Sequence, residues 1–215
     1  MMQISDFHTH FYNSDARIIY NSDANNISLS EIFSYGFHPD NLSPDFRNFF
    51  SIINNKRCAA VGECGLDVTL PCIEKQKEIF DFQVKEALKA GKPLIIHCVR
   101  AYNEVIRILK KNKFNLPVVF HAYNGNLQTT RQLLSFNNTG FSFSNRIFKN
   151  IHNIKPSIDI IDVHKIFIET DNNISDNKEL TLNKLAQIKG LSPENLACVI
   201  NQNFDTFVAL SLKNN

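Results

Sequence analysis

The sequence predicts an α/β protein, a (β/α)8 barrel of TIM type that is trimmed or irregular in its first two βα units. Three observations carry that expectation. Eight short apolar runs (ISDFH, RIIY, FSYGFH, CAAVGE, LIIHC, VVFHA, GFSFS and IFIET) read as strands, and eight is the number that closes a parallel barrel. From residue 57 onward these runs alternate with segments of helical spacing, the pattern of parallel strands joined by helices. Most of the runs also end on a histidine or a carboxylate, at the end where a parallel barrel gathers its functional side chains.

In the opening MMQISDFHTH, Asp6, His8 and His10 stand at alternate positions, so on a strand all three project to one side. Residues 13–30, rich in Asn, Asp and Ser, read as loop around the short run ARIIY. Only about two dozen residues separate His10 from Gly36, whereas each crossover between parallel strands takes a dozen or more, so the first units lack room for full helices. Beyond RCAAVGE (57–63), residues 74–92 form a helix, with Ile73, Phe80, Val84 and Ala87 or Leu88 at helical spacing, Gly91 as its stop and Pro93 after it. PLIIHC (93–98) is a strand, 102–113 a helix carrying Val105, Ile106 and Leu109, and LPVVFHA (116–122) a strand. The alternation continues with a helix near 126–136, the strand TGFSFS, a helix across 146–160 and the strand HKIFIETD (164–171). Two helices close the chain: KELTLNKLAQIK, stopped by Gly190, and a last one with Ser192 as cap and Pro193 at its first position.

A chain of 215 residues has room for one sizeable core, and a single domain over 1–215 is expected. No apolar run approaches the roughly 20 residues of a membrane span. The N-terminus shows no basic stretch followed by an apolar one, and the five cysteines have no paired spacing, so a cytoplasmic location without a disulfide framework is expected. A net charge of +2 does not describe a protein that grips nucleic acid by charge alone; any such partner must be held locally. No obligate protein partner is evident. Cys64 and Cys98 adjoin the residues of interest but belong to the core by strand alternation, and Cys58, Cys72 and Cys198 show no metal spacing.

The strand ends carry the chemistry. The first run ends at His8 and His10, the third at His38, the fourth at Glu63, the fifth at His97, the sixth at His121 and the eighth at Glu169-Thr170-Asp171; only His152 and His164 lie elsewhere. Singly, each has a structural explanation: a satisfied core histidine, a loop cap at Glu63, a helix cap at Asp171. Together, four histidines and two carboxylates converge on one mouth, and burying so many titratable groups without a cation is prohibitive. Six ligands oversupply one divalent ion, whereas two ions (Mg, Mn or Zn) use all of them: His8, His10 and Asp171 on one, His97 and His121 on the other, Glu63 between. Such a pair activates water for hydrolysis, with Asp171 as the proton acceptor and Glu63 as the bridging carboxylate. Arg100, just beyond His97, can clamp a phosphate bidentately, the alternative being a salt bridge to Glu104. Lys92, Arg100 and Arg146 add basic charge near the strand ends, and Asp6, two residues deeper than His8, supports a ligand rather than touching metal.

The motifs DFHTH, GFHP, AVGECGLD, LIIHCVRA, VVFHAYNG and IFIETD, in that order and followed by NQNFDTF, resemble the TatD-like family of metal-dependent hydrolases and deoxyribonucleases, a branch of the amidohydrolase-type barrels. The likeness covers nearly the whole chain after residue 30. It implies a two-metal barrel that hydrolyses phosphodiesters, typically in DNA, with His8, His10, Glu63, His97, His121 and Asp171 at the metal positions and His38 and Arg100 beside the phosphate. The chain departs from the family in being short between His10 and Gly36, which opens the groove on that side, and in carrying Val68-Thr69, HAYNG and Asn173 where the family has other residues; these touch the rim and not the ligands. The alternative is a metal-dependent amidohydrolase or lactonase acting on a small molecule, in which Arg100 binds a carboxylate. A silent barrel with a binding role is disfavoured because no ligand is missing.

Overall fold

Each of the eight apolar runs forms a strand in the computed structural model, which describes residues 3–13, 17–23, 32–136, 138–173 and 177–212. The strands are β1 (Asp6–Thr9), β2 (Ile18–Asn21), β3 (Phe33–Tyr35), β4 (Cys58–Asp67), β5 (Leu94–Val99), β6 (Val118–Phe120), β7 (Thr139–Phe143) and β8 (Ile166–Ile168). They pair in sequence order and all in parallel. The ring is completed where β8 runs on to β1: Thr9 bridges Asp171, the Asp171 N–H donates to His8 O at 2.9 Å, and the His10 N–H donates to Asp171 O at 3.1 Å.

The helices are α1 (Phe49–Ile53), α2 (Ile73–Lys89), α3 (Tyr102–Lys111), α4 (Leu127–Leu134), α5 (Ile151–Ile160), α6 (Lys178–Lys189) and α7 (Pro193–Leu212). Among the described residues no helix joins β1 to β2 or β2 to β3, as the short spacing there predicts. Part of the expected 13–30 loop, residues 14–16 and 24–30, lies outside the described residues. The five-residue α1 was not anticipated, since FFSII is too short to show a helical period. The helix expected across 146–160 is split, with a 3-10 segment over Asn145–Asn150 preceding α5. Asn150 breaks it: its side chain bonds Asn124 and Asn153 instead of extending a helix, the habit that makes asparagine a weak helix former.

Alternation along the strands builds two layers inside the barrel. Ile19, Ile95, Val119 and Phe167 pack with Phe7 and with Phe204 and Phe207 of α7. Two residues further along the same strands, on the same face, come Asn21, His97, His121 and Glu169. An apolar floor therefore lies directly under a polar mouth. The larger core fills the space between sheet and helices, where Val61, Leu94, Ile96 and Phe120 meet Phe80, Val84, Val105 and Leu109. Cys64 and Cys98 pack with this outer core as expected, Cys58 is buried, and Cys72 and Cys198 are exposed. No helix among the described residues is long and apolar enough to cross a membrane.

Lys92 corrects one expectation. It precedes β5 and so lies at the end of the barrel opposite the mouth, wholly buried, where its Nζ donates to Cys58 O at 2.7 Å and Ser211 O at 3.3 Å. Burial pulls its pKa down. Its work is to tie the start of β4 to the end of α7. Lys92→Met is expected to lower unfolding stability by about 2–3 kcal/mol by stranding two carbonyls, read from the urea midpoint at unchanged m; a midpoint equal to that of the wild type would contradict the tie.

Candidate metal centre

Glu63 stands at the middle of the mouth with imidazoles on every side. Its Oε2 lies 3.3 Å from His8 Nε2 and 3.3 Å from His10 Nε2. Its Oε1 lies 2.7 Å from His97 Nδ1 and 2.7 Å from His121 Nε2, and those two nitrogens are 3.1 Å apart. Asp171 Oδ1 is 3.8 Å from both His8 Nε2 and His10 Nε2. His38 Nε2 approaches Glu63 Oε1 at 3.6 Å, while its Nδ1 meets Asp40 Oδ1 at 2.7 Å. The structure thus brings together all six residues expected as ligands, with His38 at their edge.

Local structure explains the convergence. The backbone pairing of Asp171 with Thr9 and His10 fixes His8, His10 and Asp171 as neighbours before any side-chain contact forms. Gly65 lets β4 press against β5: it has φ +143°, and a Cβ there would sit 1.9 Å from His97 O. Two buried glutamines of α2 brace the flanks. Gln83 bonds both the N–H and the C=O of Phe37, beside His38, and Gln76 does the same for Asp67. Arg100, Ala122 and Asp171 follow β5, β6 and β8 with φ of 55°, 43° and 54°. Such left-handed conformations at non-glycine residues cost about 1–3 kcal/mol each and collect at functional sites.

Further side chains stand around these ligands, and of them the strand ends of the sequence show only Glu169. β4 does not end at Glu63 but runs on to Asp67, whose Oδ2 lies 3.3 Å from His97 Nε2 and whose Oδ1 accepts from the Thr69 N–H at 2.8 Å. Glu169 stands behind His121, its Oε1 3.6 Å from Nδ1 and accepting from the Ala122 N–H at 2.6 Å. Asn21 Oδ1 accepts from the Glu63 N–H at 2.9 Å and from Ser34 Oγ at 3.3 Å. The signal for Asp67 was available, since Glu63 and Asp67 share one face of an extended strand. Asp6 touches no histidine: its carboxylate accepts from Thr170 N at 2.9 Å and Thr170 Oγ1 at 2.8 Å, with Lys178 Nζ at 3.5 Å. It steadies the residue next to Asp171.

Imidazoles and carboxylates hold one another's charge in the mouth. Burial alone would raise the Glu63 pKa, but the facing His121, His10 and His8 outweigh it and hold the carboxyl well below its ordinary range. Burial would likewise weaken His121 as a base, yet the carboxylates of Glu63 and Glu169 keep its pKa well above the ordinary value. The Glu169 carboxyl is held down, against its burial, by His121, His8 and Ser142. Asp6 shows the opposite balance, burial raising its pKa in spite of Lys178 and Thr170. Both ring nitrogens of His8 and the Nδ1 of His121 are buried without an aligned hydrogen bond. Imidazole lone pairs and carboxylate oxygens directed at one another, with buried nitrogens left over, make a donor set that fits divalent metal. Two such groupings share Glu63: His8, His10, Glu63 and Asp171, and His38, Glu63 and His97.

Two arginines stand at the rim. Arg146 Nη2 lies 2.8 Å from Asp171 Oδ2. Arg100 is exposed and has no salt bridge to Glu104, whose carboxylate engages Arg107 at 2.7 Å and Lys77 at 3.5 Å.

Residues 22–209 match the sequence model of the family described as TatD related DNase. The uncharacterized metal-dependent hydrolase of Buchnera aphidicola subsp. Baizongia pistaciae is 29% identical over 194 residues, spanning 80% of this chain and 72% of that protein. The human 3'-5' RNA nuclease TATDN2 is 28% identical over 133 residues, 58% of this chain and 17% of that one. Among solved structures, YJJV, a TatD homologue from Escherichia coli K12, shares the fold with a TM-score of 0.79 at 18% identity, over 95% of this chain and 97% of that one.

Asn21→Ala strands the Glu63 N–H in the barrel and is expected to lower stability by about 1–3 kcal/mol in a denaturant titration. Wild-type stability in this variant would show that Asn21 does not hold the Glu63 backbone.

Proposed function

The chain belongs to the TatD related DNase family of metal-dependent hydrolases, and from that premise we propose that its mouth is a two-metal centre hydrolysing phosphodiester bonds, with DNA as the substrate. The observation that carries the reading is the division of labour at Glu63. Its Oε2 faces His8, His10 and, beyond them, Asp171; its Oε1 faces His97 and His121. One carboxylate between two sets of donors would help hold a pair of divalent ions. When bound, two divalent ions (Mg, Mn or Zn) supply Lewis acidity and a nucleophilic water near neutral pH.

The chain's own groups do the rest. Asp67 engages Nε2 of His97 and so aims Nδ1 at Glu63. Asp40 holds the Nδ1 edge of His38, its N–H donating to Nδ1 at 3.3 Å, and leaves Nε2 at the mouth, where it meets the phosphate. Asp171 keeps Oδ1 toward His8 and His10, while Oδ2, on the Arg146 side, takes the proton of the attacking water. Arg100, free of Glu104, binds substrate phosphate as a fork of donors.

The test is an assay of the metal-reconstituted protein on labelled DNA and RNA strands beside a panel of amides and lactones. DNA cleavage abolished by EDTA is expected; turnover of the amides or lactones with every phosphodiester left intact would overturn the reading. Arg100→Ala is expected to raise KM for DNA by about tenfold while kcat stays within about threefold, the mark of lost uniform binding. Asp67→Asn is expected to weaken metal binding by about 10–100-fold in a competition titration with the circular dichroism unchanged; undiminished affinity would remove Asp67 from its orienting role.

A further inference from the structure

Beside the mouth, between the segments that follow β5, β6 and β7, lies a cavity of about 580 Å³. It adjoins the centre without sharing its ligands. Arg100 enters it three residues after His97, and Arg146 reaches from it to Asp171. No aspartate or glutamate is found in its lining among the described residues, and at its edge Arg146 reaches Asp171.

The uncharged lining has the same sense. Asn124 Oδ1 already accepts from Asn150 Nδ2 at 2.9 Å, and Asn126 Oδ1 from the Thr129 N–H at 2.9 Å. Each carboxamide has committed its acceptor within the protein and retains its NH2 group as a donor. Two guanidinium forks and two amide donors suit a ligand that is anionic and rich in acceptors, as a phosphate ester is. The volume exceeds what a bare phosphate fills and falls in the range of pockets that take small organic molecules.

We propose that this cavity is a second phosphate subsite: it receives the nucleotide unit next to the bond being cut and holds the far phosphate of that unit at Arg100. The assignment of a nucleotide rests on the phosphodiesterase reading, whereas the anion preference rests on the cavity alone. Arg146, paired with Asp171, lies on the side of the reacting phosphate, whereas Arg100 lines the cavity and is left to take the second phosphate. The favoured substrate therefore carries two successive phosphates.

Two measurements test this. Thymidine monophosphate and thymidine are titrated calorimetrically into the metal-loaded protein and into the same protein after EDTA treatment. The monophosphate is expected to bind at least about tenfold more tightly than thymidine in both forms, and Arg100→Ala to reduce that preference to about twofold or less. Arg131→Ala, which removes an exposed charge on α4 outside the cavity, is expected to keep it. A preference lost on EDTA treatment, or lowered equally by both substitutions, overturns the subsite. In the kinetic arm, a dithymidine phosphodiester with and without a terminal phosphate is hydrolysed by wild type and Arg100→Ala. The terminal phosphate is expected to lower KM about tenfold in the wild type only. Hydrolysis of both dinucleotides at equal KM overturns the subsite and leaves the phosphodiesterase standing. Arg100-dependent binding of the monophosphate without hydrolysis of either dinucleotide supports the anion site and overturns the phosphodiesterase.

Discussion

A carboxylate buried among imidazoles is the constraint on which the rest of the structure depends. Glu63 cannot lose its proton inside a barrel unless positive charge or strong donors surround it, and four histidines within 3.3 Å of its two oxygens supply that setting. Those histidines must in turn be oriented, or their lone pairs would face one another uselessly. Asp67 behind His97, Glu169 near His121 and Asn21 under the Glu63 backbone form the outer ring that keeps the geometry. The apolar floor of Ile19, Ile95, Val119 and Phe167 closes the barrel beneath them.

The same constraint explains where the backbone departs from regularity. Strand β1 meets the segment after β8 at Thr9 and Asp171, so the closing seam of the barrel and the first ligand grouping are one feature. Left-handed residues stand within three positions of the ends of β5, β6 and β8, where the chain must turn away while still presenting a side chain to the mouth. The close approach at Gly65 serves Glu63 and His97 together by letting their strands pair tightly. The short N-terminal region is compatible with all this because strands β1 to β3 need only deliver His8, His10, Asn21 and His38 to the rim, which the pairing of short strands accomplishes with no crossover helix among the described residues there.

Much of this was legible in the residues. A parallel barrel concentrates chemistry at strand ends, so runs terminating in His8, His10, Glu63, His97, His121 and Asp171 point to a common mouth, and the structure brings all six together. What stayed hidden depends on details that local pattern does not carry. Asp67 was passed over because the apolar run stops at Glu63 while the hydrogen-bonded strand does not. Asn21 acts through a backbone bond spanning 42 residues of sequence, for which no periodicity exists. Lys92 read as basic charge near a strand end, but it stands at a strand start, and a lysine in that place is buried by the last helix rather than offered to a ligand. The helix before β8 broke at Asn150 because a side chain found partners across a loop.

Glu63 belongs to both ligand groupings at once. The most direct test is the metal content of Glu63→Gln and of His97→Ala, measured by equilibrium dialysis followed by elemental analysis at a free metal concentration that saturates the wild type. About two ions per chain are expected in the wild type, about one in His97→Ala and about none in Glu63→Gln, since only the shared carboxylate serves both positions. A Glu63→Gln protein that is folded and still holds about two ions per chain would contradict it.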